Sequence, residues 1–408
     1  MNLQRAAWQS IPLIIVCGCL IATLGFGPRS TVGFFLPPMS AANGWGRDVF
    51  ALAIAIQMLV WGAAQPFVGA IADRFGPVIV LSVGALLYAT GFAWMIYAAS
   101  PTEMYISAGV IVGFGLAGVS ITVVIGAFGR LLPVEWRAFS FGVGTAASSF
   151  GQFLFSPLAV ALNSAFDWQT TLLIFSGVIL LIMPVSLGLA APRSSETPAQ
   201  RAAQQSVGAA VREALGHPSF VFLVLGYFSC GFQVFFVTVH LPAYLVDRGL
   251  SADLGAFVIA SIGLFNIVGS ITAGYLSNVM PKRYILAIIY FLRAVAVAIF
   301  IAIPATPATS IVFGAVMGLL WLSTIPPTNA LVAVMFGTRW LSMLAGFAFF
   351  SHQVGGFLGV WLGGLLFERT GSYEAIWWVF IALGVLSALI NLPIKEQPVA
   401  RPATAAAA

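Results

Sequence analysis

Along the whole chain, long apolar runs alternate with short clusters of charge, proline and glycine. A run of on the order of 20 residues crosses a bilayer as a helix. Such runs lie at 9–36, 49–72, 78–98, 103–129, 138–163, 169–190, 220–246, 254–276, 284–303, 309–336, 341–367 and 373–392. The pattern predicts twelve membrane-spanning helices. The longest polar stretch, 192–218, falls midway and is rich in Ala, Gln, Ser and Arg. The expected organisation is therefore a six-helix bundle at 1–191, a linker at 192–218, a second six-helix bundle at 219–395 and a tail at 396–408.

Composition agrees with the periodicity. Of 408 residues, 60% are hydrophobic and 7% charged, against roughly one quarter charged in a soluble domain. Too few charges remain for a water-facing surface, so most of the exterior must face lipid. Only Arg5 precedes the first run and no small-residue cleavage site follows it, so the run reads as a retained span and not a removed leader. Cys17, Cys19 and Cys230 all lie within apolar runs and suggest neither a disulfide framework nor a metal site.

With twelve spans both ends share one side, and the Lys/Arg rule assigns it. Placing the N-terminus in the cytoplasm puts Arg5, Arg74, Arg130, Arg137, Arg193, Arg201, Arg212, Lys282, Arg283, Arg339, Lys395 and Arg401 inside. Only Arg47, Arg248 and Arg369 fall outside. The expected setting is a bacterial inner membrane, with linker and tail cytoplasmic. This topology accounts for the net charge of +5 without a nucleic acid or other acidic partner.

The two halves also resemble each other. Gly27 and Arg29 meet Gly231 and Gln233 at an offset of 204 residues, and Gly151 meets Gly355 at the same offset. Leu36-Pro37 meets Leu241-Pro242, and Gly69 with Asp73 meets Gly274 with Asn278, at 205. Half of the chain is 204 residues, so the matches indicate a duplicated six-helix unit.

The loop after the second span reads Gly69-Ala70-Ile71-Ala72-Asp73-Arg74-Phe75-Gly76. It resembles the G-x-x-x-D-R-x-G signature of the major facilitator superfamily. The resemblance implies an all-α membrane protein whose twelve transmembrane helices form two pseudo-symmetric six-helix bundles, the major facilitator fold. In physical terms Gly69 permits close helix contact, Asp73 sits where a helix start accepts its charge, and Gly76 makes a tight turn. The resemblance further implies that Asp73 pairs with Arg130 at the end of the fourth span. Together with Gly69, Arg74 and Gly76, these form the expected gating set. Pro77 and Val78 replace the basic pair that often closes the signature, and the second copy keeps only Lys282-Arg283, with Asn278 in place of the acid.

Longer strings look like the branch that holds oxalate:formate antiporters and monocarboxylate transporters. They are Gly33-Phe34-Phe35-Leu36-Pro37-Pro38 with Gly44-Trp45, His240-Leu241-Pro242-Ala243-Tyr244, Gly263-Leu264-Phe265-Asn266, and His352-Gln353. Monocarboxylate members often carry a substrate-binding arginine in the eighth span. Counting back from Gly274, that place is Asn266 here.

All twelve acids lie outside the spans or at their ends, whereas Arg29 and Arg293 lie within spans. A charge at the bilayer centre costs about 2.5 to 3.5 kcal/mol even on the lenient insertion scale, and no buried carboxylate offsets it here. A substrate carboxylate would, because a guanidinium matches two carboxylate oxygens. Arg29 is the stronger candidate, since the first span of this fold lines the cavity and Gly25, Gly27 and Pro28 predict a local break there. Arg293, in the ninth span, fits a substrate role or bonding to neighbouring carbonyls. His240 and His352 can change charge near neutral pH, with His352 expected in the cavity and His240 near an outer gate. Gln57, Gln233, Asn266 and Gln353 complete the expected substrate-binding set, with Gln65, Ser120, Thr122, Ser148, Gln152, Ser323, Thr324 and Asn329 as further polar positions. Trp61, Trp321 and Trp361 are candidates to floor the cavity. Gly355, Gly359 and Gly363 read as a helix-packing face.

The expected function is secondary transport of a small organic anion, a mono- or dicarboxylate, by alternating access, with protons as a second candidate partner. The chain shows no sign of an enzyme and calls for no cofactor, and a monomer is expected. Two alternatives are proton-coupled efflux of hydrophobic compounds and a non-transporting sensor on the same fold. Against the first, no acid sits in the cavity and the fourth span lacks an embedded arginine. Against the second, the tails are short.

Overall fold

A computed structural model describes residues 9–35, 39, 42–45, 47–190 and 205–399. Among the described residues, twelve helices are long and apolar enough to cross a membrane. They are α1 (Ile11–Phe35), α2 (Arg47–Phe75), α3 (Pro77–Met95), α4 (Pro101–Leu131), α5 (Val134–Ala165) and α6 (Trp168–Leu189) in the first half. The second half holds α7 (Pro218–Asp247), α8 (Ala252–Val279), α9 (Lys282–Ala302), α10 (Pro307–Phe336), α11 (Leu341–Thr370) and α12 (Glu374–Asn391). Each matches a predicted run to within about four residues at either end. Because the helices run up and down, α1 begins and α12 ends on one face, here called basal; the opposite face is distal. The first part of the predicted linker, 192–204, with Arg193 and Arg201, lies outside the described residues. Its last part forms a short helix, Val207–Leu215, tied to the α10–α11 turn by the Trp340 indole donating to Gln205 O at 3.1 Å.

Two local expectations change. The predicted break in α1 is absent: the helix runs through Pro28 to Ser30 and ends in a 3-10 turn, Val32–Phe35. The hydroxyls of Ser30 and Thr31 donate to Gly27 O (2.6 Å) and Pro28 O (2.7 Å), so the carbonyls around the proline keep partners. Gly25 and Gly27 instead let α1 approach Val119 in α4 and Phe155 in α5. The real interruptions lie in α4, between Gly118 and Ile121, and in α10, between Leu320 and Ile325. Position 120 plus 204 is 324, so the two breaks are repeat equivalents.

The duplication is visible in packing within each half. A Cβ added to Gly151 would lie 2.5 Å from Thr23 O, and one added to Gly355 would lie 2.1 Å from Phe228 O. Thus α5 presses on α1 as α11 presses on α7. The glycine ladder continues this seam, with Gly359 against Phe232 O and Gly363 against the His240 ring. Helices that meet over bare backbone gain dispersion contacts that lipid cannot supply.

The same symmetry governs contacts between halves. Gly69 in α2 lies against Ser342 O in α11, and Gly274 in α8 lies against Ala138 O in α5. Further in, Gly142 meets Ser270 O, and Gly346 meets Gln65 O. In every one of these pairs both members are offset by 204 or 205 residues from their counterparts. A pseudo-two-fold axis therefore relates the α2–α11 and α5–α8 seams.

Candidate functional site

Both seams run from the basal face to mid-helix, where they end at two hydrogen bonds. Gln353 Nε2 donates to Met58 O at 3.3 Å, and Asn266 Nδ2 donates to Ser149 Oγ at 2.5 Å. Among the described residues, the hydrogen bonds, ring pairs and glycine contacts that join the halves lie at these bonds or basal to them. Between the halves, at the level of the helix breaks, lies a cavity of about 190 Å³. The seams lie between it and the basal face, and its lining extends distally along α1, α7 and α8 to Ser30, Thr238 and Ile259.

Of the expected binding residues, Arg29, Asn266, His352 and Gln353 line this cavity. Ser120, Ser148, Gln152, Trp61 and Trp321 line it as well. The guanidinium carbon of Arg29 stands 5.7 Å from the centre of the Trp61 ring, and the Tyr88 phenol is close by. Arg29 Nε is buried without a hydrogen-bond partner, and among the described residues no acidic side chain lines the cavity. Across the seam, Trp61 packs on Phe349 (centroids 5.0 Å apart), which stacks on the His352 imidazole at 5.7 Å. The imidazole also lies 5.0 Å from the Tyr227 ring, and its Nδ1 lies 3.4 Å from Gln353 Oε1.

The remaining candidates lie elsewhere. Gln57 donates to Ala108 O at 2.7 Å and joins α2 to α4. Gln65, Thr122, Ser323, Thr324 and Asn329 are buried outside the lining, and Trp361 is 53% exposed on the outer surface. His240 hydrogen-bonds Val360 O at 2.9 Å and lies 3.4 Å from the Tyr373 hydroxyl, inside the distal half of the α7–α11–α12 packing.

Arg293 is fully buried, and its guanidinium is already engaged by protein. Nε and Nη2 donate to Leu320 O at 3.1 and 2.6 Å, Nη2 also donates to Trp321 O, and Nη1 donates to Gln233 Oε1 at 3.2 Å. These carbonyls are the free C-terminal end of the first segment of α10, where a cation is favourable. The sequence left Arg293 open between substrate and carbonyls; the structure places it on carbonyls, away from the cavity, and Gln233 with it. Gln233 is the repeat equivalent of Arg29, and Arg293 lies 205 residues beyond Tyr88. Each half thus has an arginine between its first and third helices, but on opposite partners. Only the one on α1 faces the cavity.

The expected gating set assembles at the basal face. Arg130 and Asp73 form a charge-assisted ion pair in which the carboxylate is fully buried. Asp73 Oδ2 also accepts the Met343 N–H at 2.9 Å, in the first turn of α11. Gly76 turns the chain into α3 with φ +95°, the left-handed region that suits glycine. Arg74 sits in the last turn of α2.

A family model described as Major Facilitator Superfamily matches residues 18–360. The chain belongs to the major facilitator superfamily. It is therefore a membrane transporter protein and not an enzyme. Among superfamily relatives, it is 29% identical over 379 residues to the uncharacterized MFS-type transporter YcxA of Bacillus subtilis, covering 89% of this chain and 90% of that one. It is 26% identical to monocarboxylate transporter 13 of Rattus norvegicus (93% and 88% covered) and 24% identical to human monocarboxylate transporter 11 (86% and 76%). The crystal structure of the superfamily transporter FucP in the outward conformation superimposes with a TM-score of 0.75 at 16% identity, covering 95% of this chain and 99% of that one. That likeness carries the fold alone.

Sequence reading missed the breaks in α4 and α10. Signals for both were present: Gly113, Gly115 and Gly118 precede the first, and Pro326-Pro327 follow the second. Prolines suit the first turn of a new helix, where their missing N–H costs nothing.

Proposed function

We propose that this protein is a secondary transporter of a small organic monoanion, a monocarboxylate, that works by alternating access. The observation that carries the proposal is Arg29: a cation in the cavity wall with an unbonded Nε and, among the described residues, no carboxylate in the lining. An unpaired charge in so apolar a setting is costly, and an anion that comes and goes lowers that cost. One arginine favours one carboxylate, because the second charge of a dianion would stay unpaired among aromatic rings. The relatives named as monocarboxylate transporters support the same class.

Near Arg29 in the lining, Gln152 and Ser120 are the polar side chains proposed to add hydrogen bonds to the anion, since the Ser148 hydroxyl donates to Gly144 O and the Asn266 amide to Ser149 Oγ. His352, the cavity's titratable imidazole, is the residue proposed to carry a proton if transport is proton-coupled. The basal face is read as cytoplasmic from the excess of Lys and Arg there. On that reading the structure is the outward-facing state, held by the Asp73–Arg130 pair and its bond to Met343. The two six-helix units would rock about the cavity to expose it basally.

The test is uptake of a radiolabelled monocarboxylate into proteoliposomes. Arg29→Ala should abolish uptake while leaving the thermal unfolding profile unchanged, and Arg29→Lys should restore part of it, because a point charge replaces a fork. Undiminished uptake by Arg29→Ala would overturn the anion site. Uptake driven by a pH gradient should survive in His240→Gln and be lost in His352→Gln.

A further inference from the structure

Resting on the monoanion reading, we infer that the preferred cargo is an aryl monocarboxylate, a carboxylate carried on a single aromatic ring, and not a short aliphatic acid. Six aromatic side chains line the cavity around Arg29: Phe26, Trp61, Tyr227, Phe235, Trp321 and Phe349. They come from α1, α2, α7, α10 and α11, so rings face the bound molecule from both halves. The volume is also informative. An apolar cavity of about 150 Å³ takes up one benzene molecule, and this one, at about 190 Å³, adds room for a carboxylate.

A short acid such as acetate would satisfy Arg29 and leave most of this wall against water. Each methylene-sized apolar group moved out of water is worth about fourfold in affinity. Aromatic faces add to this through edge-to-face and offset contacts with another ring. Arg29 is the one Arg, Lys, Asp or Glu among the described lining residues, and the polar side chains, Ser120, Gln152, Asn266, His352 and Gln353 among them, share the wall with a majority of apolar and aromatic ones. The site therefore recognises one charged end and surrounds an apolar body.

The experiment is equilibrium binding of radiolabelled benzoate to the purified full-length protein, with acetate, succinate and uncharged benzamide as competitors. Benzoate should bind at least tenfold more tightly than acetate, and neither benzamide nor succinate should compete effectively. Trp321→Leu and Phe235→Leu, each checked for a native thermal unfolding profile, should lower the benzoate-to-acetate affinity ratio at least threefold. The competitor series uses the unaltered protein, so the inference is tested even if one variant does not fold. Acetate competing as well as benzoate, with both lost in Arg29→Ala, would overturn the aryl preference and leave the anion reading standing. Benzamide competing as well as benzoate, or benzoate binding that survives Arg29→Ala, would overturn the anion reading. Absence of binding by every carboxylate would overturn both.

Discussion

Asp73 and Asn278 occupy equivalent places in the two halves and do opposite chemistry. Asp73 accepts: it takes Arg130 and the Met343 N–H, two donors from two other helices. Asn278 donates, its amide reaching Glu135 O in the first turn of α5 at 3.2 Å in an exposed setting. Carboxylates are favoured at a helix N-terminus, whereas a first-turn carbonyl already serves the helix ladder. Asp73→Asn leaves the Arg130 charge in a largely buried site without its counter-charge, a loss of about 3–5 kcal/mol for a buried pair. Asn278→Ala removes one exposed hydrogen bond, at most about 0.5–1.5 kcal/mol. We expect Asp73→Asn to lower the thermal midpoint and reduce uptake at least tenfold, and Asn278→Ala to stay within twofold of the parent in proteoliposome uptake. Equal effects would show that the two latches are equivalent. The Asp73–Arg130 pair was legible from the motif, because both residues lie in one half. The Met343 partner was not, because it sits 270 residues away in the facing half and contributes only a backbone amide.

The broken helix α10 is the element on which the cavity's second wall depends. Three neighbours hold its break: Arg293 on the carbonyls of Leu320 and Trp321, Asn266 accepting the Leu322 N–H at 2.8 Å, and Cys230 3.2 Å from the Thr324 hydroxyl. Asn266 also reaches Ser149 across the seam, so the break and the interface share a residue. Removing Arg293 orphans two buried carbonyls at once. Arg293→Met should therefore lower the thermal midpoint by several degrees and reduce uptake. Arg293→Lys should not restore either, since one ammonium cannot reproduce the fork that spans Leu320, Trp321 and Gln233. A variant that lost benzoate binding with unchanged thermal stability would instead place Arg293 at the substrate. Helix positions were legible from apolar run length, which bilayer thickness dictates. The breaks left only the flanking glycines and Pro326-Pro327 as signals, because apolar run length continues through Ser120 and Thr324 and the groups that satisfy the freed backbone come from other helices.

At the scale of the molecule, the duplication decides how the cavity is closed. Gly69 with Ser342 and Gly142 with Ser270 recur as Gly274 with Ala138 and Gly346 with Gln65. Two equivalent seams close one face, and a rigid-body rock must part both together. The offsets of 204 and 205 residues made the repeat legible in the sequence, but which helices of one half face the other is a tertiary fact that no single-helix pattern carries. Tethering one seam should arrest the cycle without touching the cavity. Glu135 and Asn278 suit this, since they meet at the basal surface, outside the cavity lining. With Cys17, Cys19 and Cys230 replaced, Glu135→Cys paired with Asn278→Cys and joined by a short bifunctional thiol reagent should reduce uptake to background. Benzoate applied to detergent-solubilised, tethered protein should still bind, because the tether lies outside the cavity lining and, on the outward-facing reading, holds the state that admits substrate. Uptake that continues after complete cross-linking would mean that the α5–α8 seam does not open during transport. The pseudo-symmetric rocking motion would then have to be replaced by parting of the α2–α11 seam alone.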